Sequence, residues 1–351
     1  MAIFNGKKLN IEIYGESHAE KIGVKVKGLP KFNYDLTKLN DFLERRKPSS
    51  SVFSTSRKEQ DQPIIKIDNV AGEMTADIYN SNKKSGDYLN LYGKPRPAHA
   101  DYSSFLKDGT LDYTGGGRFS GRLTAPLCIV GGVLKQYLQS LGIIVEAFVS
   151  SVGEIDAKSY KDGEISLSEL LDNRDIGGFP SLDKKNEILD YITSVKKDGD
   201  SVGGTIECIV YGMKTGIGDN LFEGLEGKIA SLVYSVPAVK GVEFGGGFSL
   251  SKKTGSIAND SLFYDGDCVR FKSNNSGGIN GGISNGEKIT LRVAVKPTPS
   301  ISKEQETVDL INKRNCKIKI SGRHDACIVP RAVPCIESAV IIAIVDELLG
   351  E

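Results

Sequence analysis

The sequence predicts a mixed α/β (α+β) fold built as one domain over residues 1–351. Three observations point there. Segments with helical periodicity alternate with segments of strand periodicity along the whole chain. No Pro- or Ser-rich linker divides it, and no fixed-period repeat is visible. The densest polar motifs sit near the start, the middle and the end, so one domain must gather them if they act together.

Residues 35–46 read as a helix, because Leu36, Leu39, Phe42 and Leu43 share one face. Residues 125–141 make a stronger case, with Pro126 in the first turn and Gly142 just past the end. Residues 186–197 repeat the pattern through Ile188, Leu189, Ile192 and Val195. Residues 336–349 form a long apolar helix, buried on several sides. Strands are expected at 22–27, 143–149, 205–211 and 288–295. In the last of these Ile289, Leu291, Val293 and Val295 alternate with Thr290, Arg292 and Ala294, as a half-buried strand requires. Residues 151–200 are more polar and poorer in motifs, and read as a peripheral elaboration.

Composition narrows the function. With 39% hydrophobic and 26% charged residues the chain is an ordinary globular protein. A formal net charge of +0 leaves no bulk field to attract nucleic acid or a membrane surface. The N-terminus lacks the apolar run of a secretory signal, and no stretch approaches the roughly 20 apolar residues of a membrane span, so a cytoplasmic protein is expected. Six scattered cysteines contain no Cys-x-x-Cys pair, which argues against a zinc site or a disulfide framework; no metal is expected. Glycine, at 40 residues, is the oddity, and much of it falls in clusters at 115–117, 245–247, 277–278 and 281–282. Such clusters serve tight turns or let backbone amides approach a phosphate or a flat ring.

Only three histidines occur, and each lies in a polar cluster. His18 ends Gly15-Glu16-Ser17-His18, a turn in which Ser17 can bond or relay to the imidazole, or else a plain surface turn. His99 lies in Arg96-Pro97-Ala98-His99-Ala100-Asp101, where Pro97 and the preceding Pro95 hold the backbone extended and Arg96 offers a fork for a carboxylate or phosphate. His324 lies in Gly322-Arg323-His324-Asp325; here Asp325 is either a proton acceptor or half of a structural pair with Arg323. Imidazole exchanges protons near neutral pH, so the pattern reads as proton transfer on an anionic substrate. Gly115-Gly116-Gly117-Arg118-Phe119-Ser120-Gly121-Arg122 precedes a helix and suits an anion. It is neither a Walker loop nor a dinucleotide fingerprint. No nucleophile elbow supports a Ser-His-Asp hydrolase. Arg45, Arg46, Lys47, Arg57 and Lys58 flank the Ser-rich residues 49–56, which read as a mobile loop or as a basic lid. The tract 273–282 and Lys296-Pro297-Thr298-Pro299-Ser300 bracket one strand and together read as a ligand cradle.

In this order the motifs resemble chorismate synthase. The matching blocks are residues 15–18, 45–48 with Arg57, 96–101, 115–122, 238–243, 273–282, 296–300, and 322–325 with 331–334, which are spread over nearly the whole chain. The resemblance implies a single-domain β-α-β sandwich of the chorismate synthase type, assembled as a homotetramer. It implies a carbon–oxygen lyase that eliminates phosphate, anti-1,4, from 5-enolpyruvylshikimate 3-phosphate to give chorismate, using reduced FMN without net redox change. The reduced flavin would come from NADPH acting indirectly or from an external flavin reductase. By motif match, His18 would meet the leaving phosphate and His99 the flavin. Asp325 would assist proton removal through the flavin N5, with Ser17 and Ser120 as relays. Arg118, Phe119, Ser120, Pro237, Ala238, Gly281, Lys296, Pro297, Thr298, Pro299, Ser300 and Arg323 fall at FMN-contacting positions. Arg46, Arg57, Arg96 and Arg122 would hold the substrate's phosphate and carboxylates.

Several positions depart from the family pattern. Ala19 and Ala98 replace glycines beside the two histidines, Lys47 an arginine and Ser49 a glycine. Val52 stands where an arginine assigned to NADP contact often lies. Phe119 and Gly121 replace Ser and Ala, Pro237 replaces Asn, and Ala326 a proline. None removes a proton carrier. Two rivals accompany the lyase reading, a flavin-dependent oxidoreductase on another small substrate and a binding protein that kept the scaffold; flavin oxidation or binding without turnover would mark them.

Overall fold

The structure, a computed structural model, describes residues 1–47, 61–80, 91–109, 116–173, 178–320 and 325–351. Two five-stranded antiparallel sheets enclose a layer of helices. The first sheet is built from β1 (Ala2–Asn5), β2 (Asn10–Tyr14), β3 (Lys21–Lys27), β4 (Ile64–Asp68) and β5 (Glu73–Tyr79), in the order β1-β2-β3-β5-β4. Its faces follow from the two-residue side-chain period: Ile22, Val24 and Val26 of β3 and Met74, Ala76 and Ile78 of β5 are buried, while Lys25, Lys27, Glu73 and Thr75 are exposed.

The second sheet contains β6 (Ile144–Val152), β7 (Ile155–Asp156), β8 (Gly204–Tyr211), β9 (Val239–Phe244) and, further along the chain, Ile289–Val295. Between β9 and that last strand come the hairpins β10 (Leu262–Asp265) with β11 (Cys268–Phe271) and β12 (Ile279–Asn280) with β13 (Ile283–Ser284), so Ile289–Val295 is β14. The sheet order is β7-β6-β8-β14-β9. A final hairpin pairs β15 (Glu304–Asp309) with β16 (Arg314–Lys319). The helices are α1 (Leu36–Glu44), α2 (Asp101–Asp108), α3 (Thr124–Ser140), α4 (Leu167–Asn173), α5 (Lys185–Lys197), α6 (Leu225–Ser235), the single-turn α7 (Gly255–Ala258) and α8 (Val329–Gly350).

Helices α3 and α8 pack on each other in the middle layer. α3 also meets β3, β5 and β6, and α8 meets α6, β6 and β8. One continuous apolar core joins both sheets to these helices. Their close approach needs small residues: a Cβ on Gly131 of α3 would come within 2.2 Å of Ser338 Oγ on α8.

The expected helices and strands are present, with end shifts of a residue or a few. The main difference is α8, which begins at Val329 rather than 336. Pro330 lies in its first turn, where no intrahelical N–H is needed, and Pro334 lies inside it. Burial from Val329 through Val345 on nearly every side outweighs the hydrogen bond that Pro334 forfeits. Sequence reasoning missed most of the first sheet, β7, β9, the three small hairpins and the helices α2, α4, α6 and α7. Residues 151–200 contribute to two apolar clusters: Ile188 and Ile192 of α5 join the main core, while Ile165 and Leu170 cover Phe148 and Ile209 on the other face of the second sheet. That double cover explains why β6 is buried almost throughout.

A charged group lies inside this layer. Glu337 of α8, 0% exposed, takes Arg45 (Nη2–Oε2, 2.9 Å) and Lys135 of α3, and Lys135 also meets Glu146 of β6 at 2.9 Å. Burial alone would raise the Glu337 carboxyl, but Arg45 and Lys135 reverse this and hold it below its ordinary value. Removing one member leaves the others buried and uncompensated, which typically costs about 3–5 kcal/mol. Glu337→Leu is therefore expected to lower the unfolding free energy by that order in a urea titration; a wild-type midpoint and slope would show that the network carries no such load.

Candidate active site

The sequence motifs meet where the N-terminal end of α3 faces the loops after β2, before α2 and after β14. Residues 15–20 turn sharply, with Ala19 N donating to Glu16 O at 3.1 Å. Ser17 Oγ lies 3.0 Å from His18 Nδ1, and Ser17 N donates to Gly117 O. On the other side of the same short turn stands His99. A Cβ built on Gly116 would come within 3.2 Å of His99 Nε2, and Gly116 itself has φ +109. The backbone at 116–117 thus lies between the two imidazole-bearing segments, and glycine suits position 116 because its φ is positive and a side chain there would press on His99.

His99 is tightly braced. Asp101 Oδ1 lies 2.5 Å from Nδ1, and Arg96 Nη2 lies 3.1 Å from the same nitrogen. Arg96 grips Asp101 as a fork, Nε to Oδ2 and Nη2 to Oδ1, both at 2.8 Å, and its Nη1 reaches Ser300 Oγ at 3.4 Å. Burial pushes the Asp101 carboxyl up, but hydrogen bonds and charge from Arg96 and His99 outweigh it and hold the group far below the carboxylate range. The loop approaches through Ala98, a non-glycine residue at φ 58, whose carbonyl accepts from Lys296 Nζ at 2.5 Å. Ala238, at φ 74, accepts from the Lys296 backbone N–H at 3.0 Å, which brings Pro237 and Ala238 to the same place.

Thr298 Oγ1 donates to the Asp325 carbonyl at 2.9 Å, which draws the third proton-carrier candidate to residues 296–300. The Asp325 carboxylate pairs with Arg331 Nη1 at 2.6 Å, and Arg331 Nε also donates to Arg46 O at 3.2 Å. One partner of the Asp325 carboxylate is thus six residues downstream, on the first turn of α8. Arg323, the partner weighed from sequence, lies outside the described residues, as do Arg57, His324 and the lid at 49–56.

Arg46 and Arg122 are both buried and share Asp61. Arg122 Nη1 lies 2.5 and 2.6 Å from the two carboxylate oxygens, and Arg46 Nη1 lies 3.3 Å from Oδ2. Arg46 also donates to Thr124 Oγ1 and to the carbonyls of Gly121 and Arg122. Arg122 Nε donates to Asn80 Oδ1, and Asn80 Nδ2 donates to the carbonyls of Glu16 and Ala19, which ties the arginines to the His18 turn. Two unit charges about 6 Å apart repel by about 3 kcal/mol at an effective dielectric constant of about 20, so the intervening carboxylate matters. Ser120 Oγ caps the short turn at Gly121–Leu123 by accepting from Arg122 N at 3.2 Å.

Arg118 lies over the half-exposed Phe119 ring, 4.9 Å from its centroid. Gly281 is in the β12–β13 turn with open space where a Cβ would go; the neighbours of that turn are Asp219 and Gly224. Sequence reasoning missed Asp61, Asn80, Thr124 and Arg331. Asp61 and Asn80 carry no local signal, since both read as loop residues. Arg331 stands in the matched block 331–334 but was given no role. Among the described residues no cluster of His, Cys, Asp and Glu could hold a metal ion.

Comparison with known proteins gives a consistent result. A sequence model of the family described as chorismate synthase matches residues 9–349. A chorismate synthase from Methanococcus maripaludis is 40% identical, with 98% of this chain and 96% of the relative covered. Those from Dehalococcoides mccartyi and Methanocaldococcus jannaschii are each 39% identical, covering 97% and 98% of this chain and 95% of the relatives. A crystal structure of a chorismate synthase superposes with a TM-score of 0.74 at 26% identity, covering 98% of this chain and 92% of that one.

The Asp101 brace has a pH signature. A carboxyl depressed in the folded state stabilises fully above its unfolded value, about 4, and that contribution is lost as pH falls below it. The unfolding free-energy difference between wild type and Asp101→Asn should therefore shrink between about pH 4.5 and pH 3. A difference that stays constant across that window would mean that Arg96 and His99 do not hold the carboxylate ionised.

Proposed function

The chain belongs to the chorismate synthase family, and from that premise we propose that it converts 5-enolpyruvylshikimate 3-phosphate to chorismate by anti-1,4-elimination of phosphate, with reduced FMN and no net redox change. The observation that carries the reading is the convergence of the His18, His99 and Asp325 segments on one ring of contacts with four arginines, Arg46, Arg96, Arg122 and Arg331. An elimination needs an acid for the departing phosphate and a base for the departing proton. A substrate bearing two carboxylates and a phosphate needs paired cations to leave water.

The flavin fits the donors present. Lys296, Thr298 and Ser300 offer an ammonium and two hydroxyls on a proline-stiffened loop beside His99, and Pro237 and Ala238 back the same loop. Phe119 with Arg118 offers a flat face, and the glycine at 116 admits the His99 ring. Reduced FMN, when bound, supplies an electron-rich ring beside the substrate. Arg323 and Gly281 complete the proposed cofactor set.

The residues of the chain then divide the work. His18, held through Nδ1 by Ser17, would give its proton to the leaving phosphate. His99, held through Nδ1 by Asp101, would present Nε2 to the cofactor edge as its proton-exchanging atom. Asp325, oriented by Arg331, would serve the departing ring proton, with Ser17 and Ser120 as relays. Arg46, Arg57 and Arg122 would hold the substrate anions. Arg96 joins them from beneath His99, its fork on Asp101.

We also read the chain as one catalytic domain of a cytoplasmic enzyme. The reduced flavin comes from NADPH indirectly or from an external reductase. Among the described residues no helix is long and apolar enough to cross a membrane. A homotetramer is the assembly that the family resemblance implies. Light scattering on the purified chain should give four times the subunit mass; a monomeric mass would reject it.

The deciding experiment is anaerobic phosphate release from the enolpyruvyl substrate with dithionite-reduced FMN. Phosphate should appear without flavin oxidation, and His99→Ala should lower turnover by about 10²-fold or more at saturating reduced flavin. Stoichiometric flavin oxidation, or no phosphate at all, would reject the lyase reading; wild-type turnover in the variant would reject the role of His99.

A further inference from the structure

The carboxylate between the two buried arginines is the feature that the reaction itself does not account for. Asp61 is 9% exposed, and its backbone sits at φ 41, a conformation that aspartate tolerates better than most side chains. It immediately precedes β4 and directs its carboxylate between Arg46, just past α1, and Arg122, just before α3. No other described contact brings both guanidinium groups to one anion. Arg46 is otherwise bound to the 121–124 segment, and Arg122 to Asn80, which carries the turn of His18.

We propose that Asp61 is a positioning residue for substrate recognition, one that fixes the spacing and direction of Arg46 and Arg122 before an anion arrives. The inference rests on the reading above that these two arginines face the substrate. Without the shared carboxylate, the two like charges would part: Arg46 would keep its bonds to the 121–124 segment, but the Arg122 guanidinium would lose its side-chain link to Arg46. The substrate's own anionic group would then have to gather the arginines and would bear the ordering cost. With the carboxylate in place, the pair is set in advance and keeps a net charge of one, enough to attract a phosphate or carboxylate. The carboxylate thus acts on binding, through the two arginines it holds.

The test compares wild type with Asp61→Asn and Asp61→Glu by calorimetric titration of the flavin-free protein with the enolpyruvyl substrate, and by FMN titration in parallel. Losing a hydrogen bond to a charged group should weaken substrate binding about tenfold in Asp61→Asn. FMN affinity should stay within about twofold, since that ligand relies on other residues. Asp61→Glu, which keeps the charge, should recover most of the substrate affinity. A general loss of structure would weaken both ligands together and would overturn the inference, as would wild-type or tighter substrate binding in Asp61→Asn. Should Asp61→Asn fail to fold, Asp61→Glu decides alone: substrate affinity near wild type supports the role, and a loss as large as that of FMN overturns it. A wild type that binds substrate but releases no phosphate in the turnover assay would sink the lyase reading and leave the role of Asp61 standing.

Discussion

A cationic site inside a neutral protein has to be neutralised before its ligand arrives. Guanidinium groups cannot shed their protons, and a buried charge without a partner is expensive. This constraint organises much of the middle of the molecule. Arg46 and Arg122 share Asp61, Arg96 holds Asp101, Arg331 holds Asp325, and Arg45 with Lys135 holds Glu337. Asp101 shares a motif with its arginine, whereas Asp61 and Glu337 come from parts of the chain that no motif marks. Each carboxylate also fixes a donor's direction, so the side chains that make burial tolerable are the same ones that shape the site. The adjacent residues Arg45 and Arg46 show this division most clearly. The first points to Glu337 in the helix layer, the second to Asp61 and the start of α3, so the core network and the site share a backbone joint.

Helices α1, α3, α5 and the body of α8 were legible because their apolar residues recur at helical spacing, and α3 also carries Pro126 and Gly142 at its ends; α2, α4, α6 and α7 were not. Strands β3, β6, β8 and β14 were legible because long β-branched runs bury one face or both. The rest of the first sheet was not. β1 and β2 are short and mix Asn and Glu among their apolar residues, and β4 is an edge whose Ile64 is 57% exposed. Such strands are specified by their neighbours in the sheet, which no local window contains. The start of α8 was hidden by Pro330 and Pro334, whose local preference yields to burial. The candidate site divides the same way. Motifs dense in His, Arg and Gly stood out in the sequence, and the structure brings residues 15–18, 96–101, 116–122, 296–300 and Asp325 into one connected set. Asp61 and Asn80 did not stand out, because a single carboxylate or amide in a loop has meaning only through what folds against it.

Two backbone positions are bent against their local preference. Ala98 and Ala238 both lie in the left-handed region, at φ 58 and φ 74, where a Cβ costs about 1–2 kcal/mol per residue. Both carbonyls point at the same residue, one accepting from Lys296 Nζ and the other from its backbone N–H. At Ala98 the resemblance leads one to expect glycine, which would take this conformation without strain; alanine holds it nonetheless. Strain of this size persists only where surrounding contacts over-determine it. Here they are the Arg96–Asp101 fork on one side, and on the other the pairing of β14 with β9, whose register shifts at Ala294/Val295. The ammonium of Lys296 is therefore set beside His99 by two loops bent against their local preference. A flexible lysine on an unstrained loop would satisfy the same hydrogen bonds only part of the time, so the bent backbone is best understood as the means by which one positive charge is given a fixed address next to a proton carrier.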